Sequence, residues 1–268
     1  MVNAISTRTF VPAVLVAAML LLGGIAEASH SWGGYHWART SNPFPLQLGD
    51  NVTSAWDGYL TTASTDWNAS NVLDIIAVAG STGRNCKAVA GTVQVCNSKY
   101  GYNGWLGLAQ IWLSSGSHIT KGVAKMNDSY FNLAAYNNPD EKQHVMCQEI
   151  GHTLGLGHTT EDGSSQGTCM DYSSSPSSTH PNQHDYDELG IIYAHLDSFD
   201  SYLTSSSDGG GGGGNGHGKP ADVGQGIDFS DRSEWGKEVS RSANGRESVF
   251  ERDLGNGNKV VTHVLWVE

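Results

Sequence analysis

Charged side chains are sparse in this sequence, and basic ones are the scarcest. Only 16% of the 268 residues are charged, and 15 Lys and Arg face 27 Asp and Glu, which gives a formal net charge of -12. A chain with so little positive charge has no electrostatic attraction to polyanions or to anionic bilayers. We therefore expect no nucleic-acid partner and no stable membrane association. The charge balance does not identify a substrate.

Cysteine is also rare, with four residues at Cys86, Cys96, Cys147 and Cys169. An even, small number fits an oxidising compartment. Cys86 and Cys96 flank a short loop and are plausible partners. Four cysteines allow three pairings, however, and the sequence alone does not choose among them.

A long apolar run at residues 10–26 predicts a secretory signal. Arg8 gives the run a weak positive start, and residues 26–28 read Ala-Glu-Ala, a small-x-small cleavage site. A membrane anchor is the alternative, but the run lacks a basic stop-transfer flank. We expect a signal peptide at residues 1–28, a mature chain that begins at Ser29, and a secreted protein.

Strand-like and helical patterns mix along the middle of the chain, which predicts an α+β fold. The predicted strands are residues 46–48, 72–79, 93–96, 108–113 and 119–126. The predicted helices are residues 53–68, 139–154 and 184–196. Such a mixture favours a twisted sheet with helices on one face.

The start of the middle helix carries the strongest local signal. Asn138 can cap it, Pro139 suits its first turn, and Glu141 stands at the capping-box spacing. We therefore expect the helix to begin at Pro139.

The end of the chain has a different composition. Six consecutive glycines predict a flexible linker at residues 205–220. Beyond it, residues 248–254 and 259–267 flank a Gly-Asn-Gly-Asn turn and predict a β-hairpin. A segment as small as residues 221–268 has little core of its own. It docks either on the rest of the chain or on another partner, and its role stays open.

The chain reads QEIGHTLGLGH from Gln148 onwards. On a helix, residues four apart share a face, so Gln148 and His152 lie together with Glu149 beside them. Gly155 can adopt the left-handed conformation that ends a helix, after which the chain can return His158 to the same place. Two imidazoles and an adjacent carboxylate are what a catalytic zinc needs.

This stretch resembles the metzincin zinc peptidases, whose signature is HExxHxxGxxH followed by a methionine-containing turn. Every position matches except the first, where the chain has Gln148 instead of His. Met170 follows at the family's distance, in the order Met-Asp-Tyr. The resemblance is closest to the matrixins. It implies that residues 29–204 form a metzincin-like catalytic domain, with a twisted mixed sheet, a covering helix, an active-site helix and a closing helix.

The resemblance also implies roles for individual residues. The metal ligands would be Gln148, His152 and His158, holding one catalytic Zn²⁺. Glu149 would be the general base, and Tyr172 would stabilise the oxyanion or ligate the resting metal. The sequence has no pattern that specifies a structural Ca²⁺ site, although such sites are compatible with the resemblance.

Met170 would then form the apolar floor under the metal. The helix that carries Cys147 must approach Cys169 in that case, which favours a Cys147–Cys169 disulfide. His144 lies about 12 Å from His152 along the helix, too far to share a metal with it. We assign His144 to solvent or to supporting the ligands.

In metzincins an edge strand of the sheet pairs with extended substrate. The resemblance implies that residues 108–113 or 119–126 do so here, with a protein or peptide substrate and a monomeric enzyme. Matrixins commonly stay latent through a propeptide cysteine on the zinc. Here no cysteine precedes Cys86, so we expect another means of control.

Gln148 leaves two functions open. Its amide oxygen is neutral and reaches as far as an imidazole Nε2, but it is a harder and weaker donor, better suited to Mg²⁺ or Ca²⁺ than to Zn²⁺. The sequence predicts a secreted zinc-dependent endopeptidase. The alternative is an inactive pseudo-protease that acts as a secreted binding module, with a metal-free carbohydrate- or surface-binding module as a third reading.

Overall fold

Nine strands and four helices make up the part of the chain that the computed structural model describes, which is residue 1 and residues 30–160, 162–173, 175–202, 224 and 227–268. The strands are β1 His36–Trp37, β2 Phe44–Asn51, β3 Leu73–Ala79, β4 Thr92–Ser98, β5 Trp105–Ser114, β6 His118–Asn127, β7 Lys237–Arg241, β8 Glu247–Gly255 and β9 Asn258–Trp266. The helices are α1 Asp57–Trp67, α2 Asp128–Phe131, α3 Pro139–Thr153 and α4 Gln183–Ile192. The architecture is mixed α+β, with one large sheet and few helices.

The strands form one sheet in the order β3-β2-β4-β6-β5-β9-β8-β7, and β1 pairs with β6 beside this path. The pairs β2–β3, β2–β4 and β4–β6 are parallel, whereas β5 runs antiparallel to β6. Parallel strands need covered faces. α1 and α3 provide that cover by packing on each other and on the sheet. Trp67 of α1 donates its indole N–H to the Cys147 carbonyl of α3 at 3.2 Å.

α3 begins where the sequence predicts. The Asn138 side chain accepts a hydrogen bond from the Asp140 backbone N–H at 2.9 Å, and Pro139 is the first helical residue. The helix ends at Thr153, one residue before the predicted end. Gly155 then has a φ of +98°, and a Cβ there would overlap the Tyr35 carbonyl oxygen. Only glycine therefore fits the turn that follows the helix.

Two predicted helix boundaries are wrong. α1 begins at Asp57 rather than at residue 53, because the Trp56 N–H bonds to the Thr53 carbonyl at 2.7 Å and forms a turn before the helix. α4 ends at Ile192 rather than at residue 196. Leu196 is 58% exposed and therefore contributes little to a buried helical face.

The C-terminal strands continue the sheet beyond β5. β9 pairs antiparallel with β5, from Trp105 opposite Trp266 to Leu113 opposite Lys259. The predicted hairpin is present as β8 and β9, and β7 adds a strand that the sequence did not predict. Val261 of β9 is fully buried in the core beneath the sheet. The C-terminal segment therefore docks on the rest of the chain, which is one of the two alternatives that the sequence leaves open.

The strand expected to pair with extended substrate has no free edge. β6 lies between β4 and β5, and β5 lies between β6 and β9. The prediction that residues 108–113 or 119–126 form an open edge is therefore wrong for this conformation. The physical reason is that β9 supplies the antiparallel partner, with apolar side chains at Val261 and Leu265 that enter the same core.

The four cysteines pair as Cys86–Cys96 and Cys147–Cys169, with Cα atoms 5.9 Å apart in each bond. The second bond ties α3 to the segment that carries Met170. Within the described residues, no helix is both long and apolar enough to cross a bilayer. The predicted signal peptide (residues 1–28, apart from Met1) and the predicted linker (residues 205–220) lie outside the described residues. The domain boundaries drawn from them stay predictions.

Candidate metal centre

The predicted motif residues come together at the C-terminal end of α3. Gln148, Glu149 and His152 lie on this helix and are at most 1% exposed. The turn at Gly155 returns the chain, so that the rings of His152 and His158 lie 4.5 Å apart between centroids, at 76° to each other. The local sequence thus places two imidazoles side by side in a buried position.

Two backbone carbonyls orient the side chains on α3. The His152 Nδ1 lies 2.9 Å from the Leu156 carbonyl oxygen. Because a carbonyl only accepts, Nδ1 carries the hydrogen and Nε2 keeps a lone pair for a metal. The Gln148 Nε2 donates to the Asp171 carbonyl at 3.0 Å. This leaves Gln148 Oε1 buried without a hydrogen-bond partner in the described part of the chain, so it is available as an acceptor or a ligand.

Two further residues reach the site from the C-terminal strands. The His263 ring of β9 stacks on His152 with centroids 3.9 Å apart and 4° between the planes. The Glu247 Oε2 of β8 lies 2.6 Å from the His158 Nε2 and 4.0 Å from the His263 Nδ1. The C-terminal segment therefore contributes one imidazole and one carboxylate to the same buried pocket.

Four residues can each offer one ligand atom within 4.8 Å of the other three. They are His152, His158, Glu247 and His263. A tetrahedral zinc with bonds of about 2.1 Å holds its ligand atoms about 3.4 Å apart, so small side-chain shifts suffice. Three imidazoles and a carboxylate are donors that zinc prefers. Neither ring nitrogen of His263 makes a hydrogen bond within the described residues, which a bound cation would explain. The donor set fits zinc.

Burial keeps the imidazoles neutral, which is the state that binds metal. The loss of hydration lowers the pKa of His158 to about 3. It also lowers the pKa of His152 and of His263 well below the ordinary value, and the neighbouring histidines lower both further. All three side chains therefore present neutral donor atoms at neutral pH.

Glu149 lies beside the four-residue group rather than in it. Its side chain reaches β5, where a Cβ on Gly107 would overlap the Glu149 Oε1. Burial raises the pKa of Glu149 well above its usual range, and the nearby charge of Glu247 raises it further. Its Oε2 has no hydrogen-bond partner in the described residues. This oxygen can accept or deliver a proton inside the pocket.

Met170 and Tyr172 also lie at the site. Met170 is fully buried, and its sulfur is 2.5 Å from where a Cβ on Gly151 would stand, directly under α3. The Tyr172 ring lies 4.2 Å from the His158 ring. His144 is buried rather than solvated and is not one of the four donors, and its Nδ1 lies 2.5 Å from the Ser178 carbonyl oxygen. It supports the adjoining loop.

Sequence reasoning missed His263 and Glu247. No spacing ties them to residues 148–158, from which they are separated by about 90 residues and more. The strand pattern around Gly255 predicts the hairpin, but it does not predict which strand of the sheet the hairpin pairs with.

A cleft of about 300 Å³ opens onto the four-residue group, and His158, Glu247 and His263 form part of its wall. The first described residues and the C-terminal strands line it, including His30, Trp32, Ser240 and Val249. The cleft therefore lies between the predicted catalytic part of the chain and its C-terminal segment.

Two other groups of histidine and aspartate have ordinary explanations. Asp197 lies within 4.0 Å of His36 and His118, but it also pairs with Arg39 at 3.0 Å, which already neutralises its charge. Asp185 accepts a hydrogen bond from the Asn182 N–H at 2.7 Å as part of the α4 capping box. The group of four remains the best candidate among the described residues.

Comparison with known proteins adds little. No family model matches the sequence, and no curated protein matches it. Among solved structures, the chain is similar to high choriolytic enzyme 1 (HCE-1), a hatching enzyme zinc-protease from Oryzias latipes (medaka fish), at 10% identity and a TM-score of 0.34. The match covers 60% of this chain and 96% of that one. Because a TM-score this low does not mark a shared fold, the likeness assigns no activity to this chain.

Proposed function

We propose that this chain is a secreted, zinc-dependent endopeptidase that uses the residues of the α3 motif. The observation that carries the proposal is the buried pocket in which neutral His152 and His158 meet beside the carboxyl of Glu149. The unpaired Gln148 Oε1 is the third ligand in the active form. The two disulfides and the apolar leader at residues 10–26 support secretion.

Zinc bound here would polarise a peptide carbonyl and lower the pKa of a water molecule to about 7. Glu149 takes the proton of the attacking water at its unpaired Oε2 and delivers it to the leaving amine. Its raised pKa suits this task, because the protonated form is not strongly disfavoured in the pocket. Tyr172, packed on His158, is the nearby hydroxyl that donates to the oxyanion.

The alternative is a pseudo-protease that serves as a secreted binding module. Two observations favour it: Gln148 stands where the resemblance has a zinc-binding histidine, and β9 covers the strand that would pair with substrate. The two proposals differ in zinc content. An endopeptidase retains one zinc per chain after dialysis, whereas the binding module contains none.

The test is metal analysis of the purified chain together with Glu149→Gln. We expect one zinc per chain in both proteins. Cleavage of a casein-type substrate should fall ~100-fold or more in the variant, the usual scale for loss of a general base. Asp140→Asn, at an exposed carboxylate on the same helix, is the matched control and should cleave like the wild type. A zinc-free wild type would overturn the proposal in favour of the binding module.

A further inference from the structure

The C-terminal segment of residues 237–268 lies in the position of an extended peptide bound to the sheet. β9 runs antiparallel along β5, the strand next to Glu149 through Gly107, and pairs with it from Trp105 to Leu113. Main-chain pairing with an open sheet edge is a general way to bind extended peptides. While β9 holds this edge, another peptide cannot pair with β5.

The same segment brings two donor atoms to the metal centre. Ala109 on β5 faces His263 in the β5–β9 register, and Leu265 faces Glu247 in the β8–β9 register. The pairing thus fixes both side chains over the end of α3. Both are buried, at 3% exposure for His263 and 2% for Glu247.

The number of protein donors separates two kinds of zinc site. Structural sites are closed by four protein ligands, whereas catalytic sites have three and keep one position open for water or substrate. His152, His158, His263 and Glu247 together make four. Without the C-terminal segment, the motif offers three, with Gln148 as the third. The segment therefore changes the site from open to closed.

An apolar cluster holds the segment in place. Trp235, Phe250 and Trp266 pack with Trp105 and Leu108 of β5 on one side of the sheet. Arg246 adds a polar contact, donating to the Tyr172 carbonyl at 3.1 Å. The segment is thus held by apolar packing and by this polar contact.

We propose that residues 237–268 are an intramolecular inhibitor, which occupies the peptide-binding edge of β5 and closes the metal site with Glu247 and His263. This inference rests on the proposed endopeptidase function. It supplies the control of activity that the sequence leaves open. The latent chain becomes active when these two side chains leave the metal.

The test opens the site by substitution and leaves the full chain intact. Glu247→Ala should keep one zinc per chain and bind acetohydroxamate, a small ligand that needs an open metal position but not the β5 edge, at least tenfold more tightly than wild type. The Co²⁺-substituted variant should have shifted visible absorption bands, because water replaces a carboxylate. Glu251→Ala is the matched control, a carboxylate four residues further along β8 that bonds to Tyr35 rather than to the metal group. It should behave like the wild type.

Glu247→Gln is the second variant, to be used if the Ala protein fails to fold. It keeps the shape of the side chain but weakens the donor, so it should raise acetohydroxamate affinity as well. Equal acetohydroxamate affinity in wild type and both folded variants, with zinc retained, would overturn the inhibitor and leave the endopeptidase standing. If the Glu247 variants lose zinc while wild type keeps it, the inhibitor is also overturned, since Glu247 would then be a permanent ligand. Absence of zinc from every protein would overturn the endopeptidase itself.

Discussion

The two polar atoms of the Gln148 amide lie in different surroundings. Its Nε2 is held by the Asp171 carbonyl, which fixes the direction of the amide. Its Oε1 is thereby left without a hydrogen-bond partner among the described residues, at zero exposure. A buried carbonyl oxygen without a partner costs about 1–3 kcal/mol. A bound cation would remove that cost, which is why a weak donor can persist at this position.

The first prediction concerns Gln148 and His263, two donors of which either one can remain when the other is replaced. In the proposed latent chain His263 and Glu247 would also bind the metal, so Gln148→Ala should weaken zinc binding only about tenfold. His263→Ala should have a similar effect, because Gln148 remains. The double variant keeps His152, His158 and Glu247 and should bind zinc about 100-fold more weakly than wild type. Competition with a chromophoric chelator measures the affinities, and His180→Ala, an exposed histidine paired with Asp66, is the control.

Gln148→His would complete the family signature and should tighten zinc binding, since imidazole is the better donor. If the double variant binds zinc as tightly as His263→Ala alone, then Gln148 is not a ligand.

Lys125 gives a prediction that is independent of the metal. It is 3% exposed on β6, and burial lowers its pKa to about 8 from the ordinary 10.5, although Asp228 opposes this effect. Between about pH 8 and 10.5 the unfolded state therefore binds more protons than the folded state. Stability rises with pH across this window, and the full penalty of the buried charge is present below it.

Lys125→Met should accordingly raise the free energy of unfolding at pH 7 by about 1–3 kcal/mol, because the partner Asp228 is exposed and stays hydrated. The gain should shrink between pH 8 and 10.5. Urea unfolding at several pH values measures it, with exposed Lys237→Met as the control. A gain that does not change with pH would contradict the pKa assignment.

For single residues, the sequence predicted the spatial proximity of those that are also close together along the chain. Glu149, His152 and His158 follow from helical spacing and one glycine, and they meet in the structure. Glu247 and His263 do not follow, because their position depends on which strand β9 pairs with. No local property of residues 247–263 encodes that choice.

Among the elements, α3 and the turn after it position two histidines of the candidate metal centre, His152 and His158. The helix orients His152, and the turn decides where His158 arrives. Gly155, at a φ of +98° and in contact with the Tyr35 carbonyl, is the point at which the two are joined. A side chain at Gly155 would displace either the segment that carries Tyr35 or the loop that carries His158.

We therefore expect Gly155→Ala to lower the free energy of unfolding by about 2–4 kcal/mol, from backbone strain and steric overlap together. Zinc affinity should fall as well, because His158 shifts relative to His152. Gly190→Ala on α4 is the control, since a Cβ there meets nothing within 4 Å and favours the helix by about 0.5–1 kcal/mol. Thermal unfolding and zinc titration of both variants measure these effects. Normal zinc affinity in Gly155→Ala would show that the turn does not position His158.

The elements also differ in how well their sequences predict them. α3 has its cap and proline at the start, so its first residue is predictable. Strand β5 is recognisable from its apolar residues, but its neighbours are not, because pairing depends on contacts distant in sequence. For this reason the sequence did not predict that β9 pairs with residues 108–113, which were expected to form an open edge.

In the whole molecule, the candidate metal centre joins three separate parts of the chain. His152 comes from α3, His158 from the loop after it, and His263 with Glu247 from the C-terminal strands. A metal held by all of them would bind the folded chain far better than the unfolded one. Mass action then makes the stability of the whole fold depend on zinc, by about 2.7 kcal/mol when free zinc is 100 times its dissociation constant.

Removal of zinc should therefore lower the thermal unfolding midpoint by several degrees, since 1 kcal/mol corresponds to about 2–4 °C in a chain of this size. Calorimetry with added zinc and with a chelator measures the shift. His152→Ala should show almost no zinc-dependent shift, because it lacks a ligand that both the open and the closed site need. His263→Ala should show a smaller shift than wild type, because zinc then no longer ties β9 to α3. An equal shift in His263→Ala and wild type would mean that the C-terminal strands are held by apolar packing alone, without a bond to the metal.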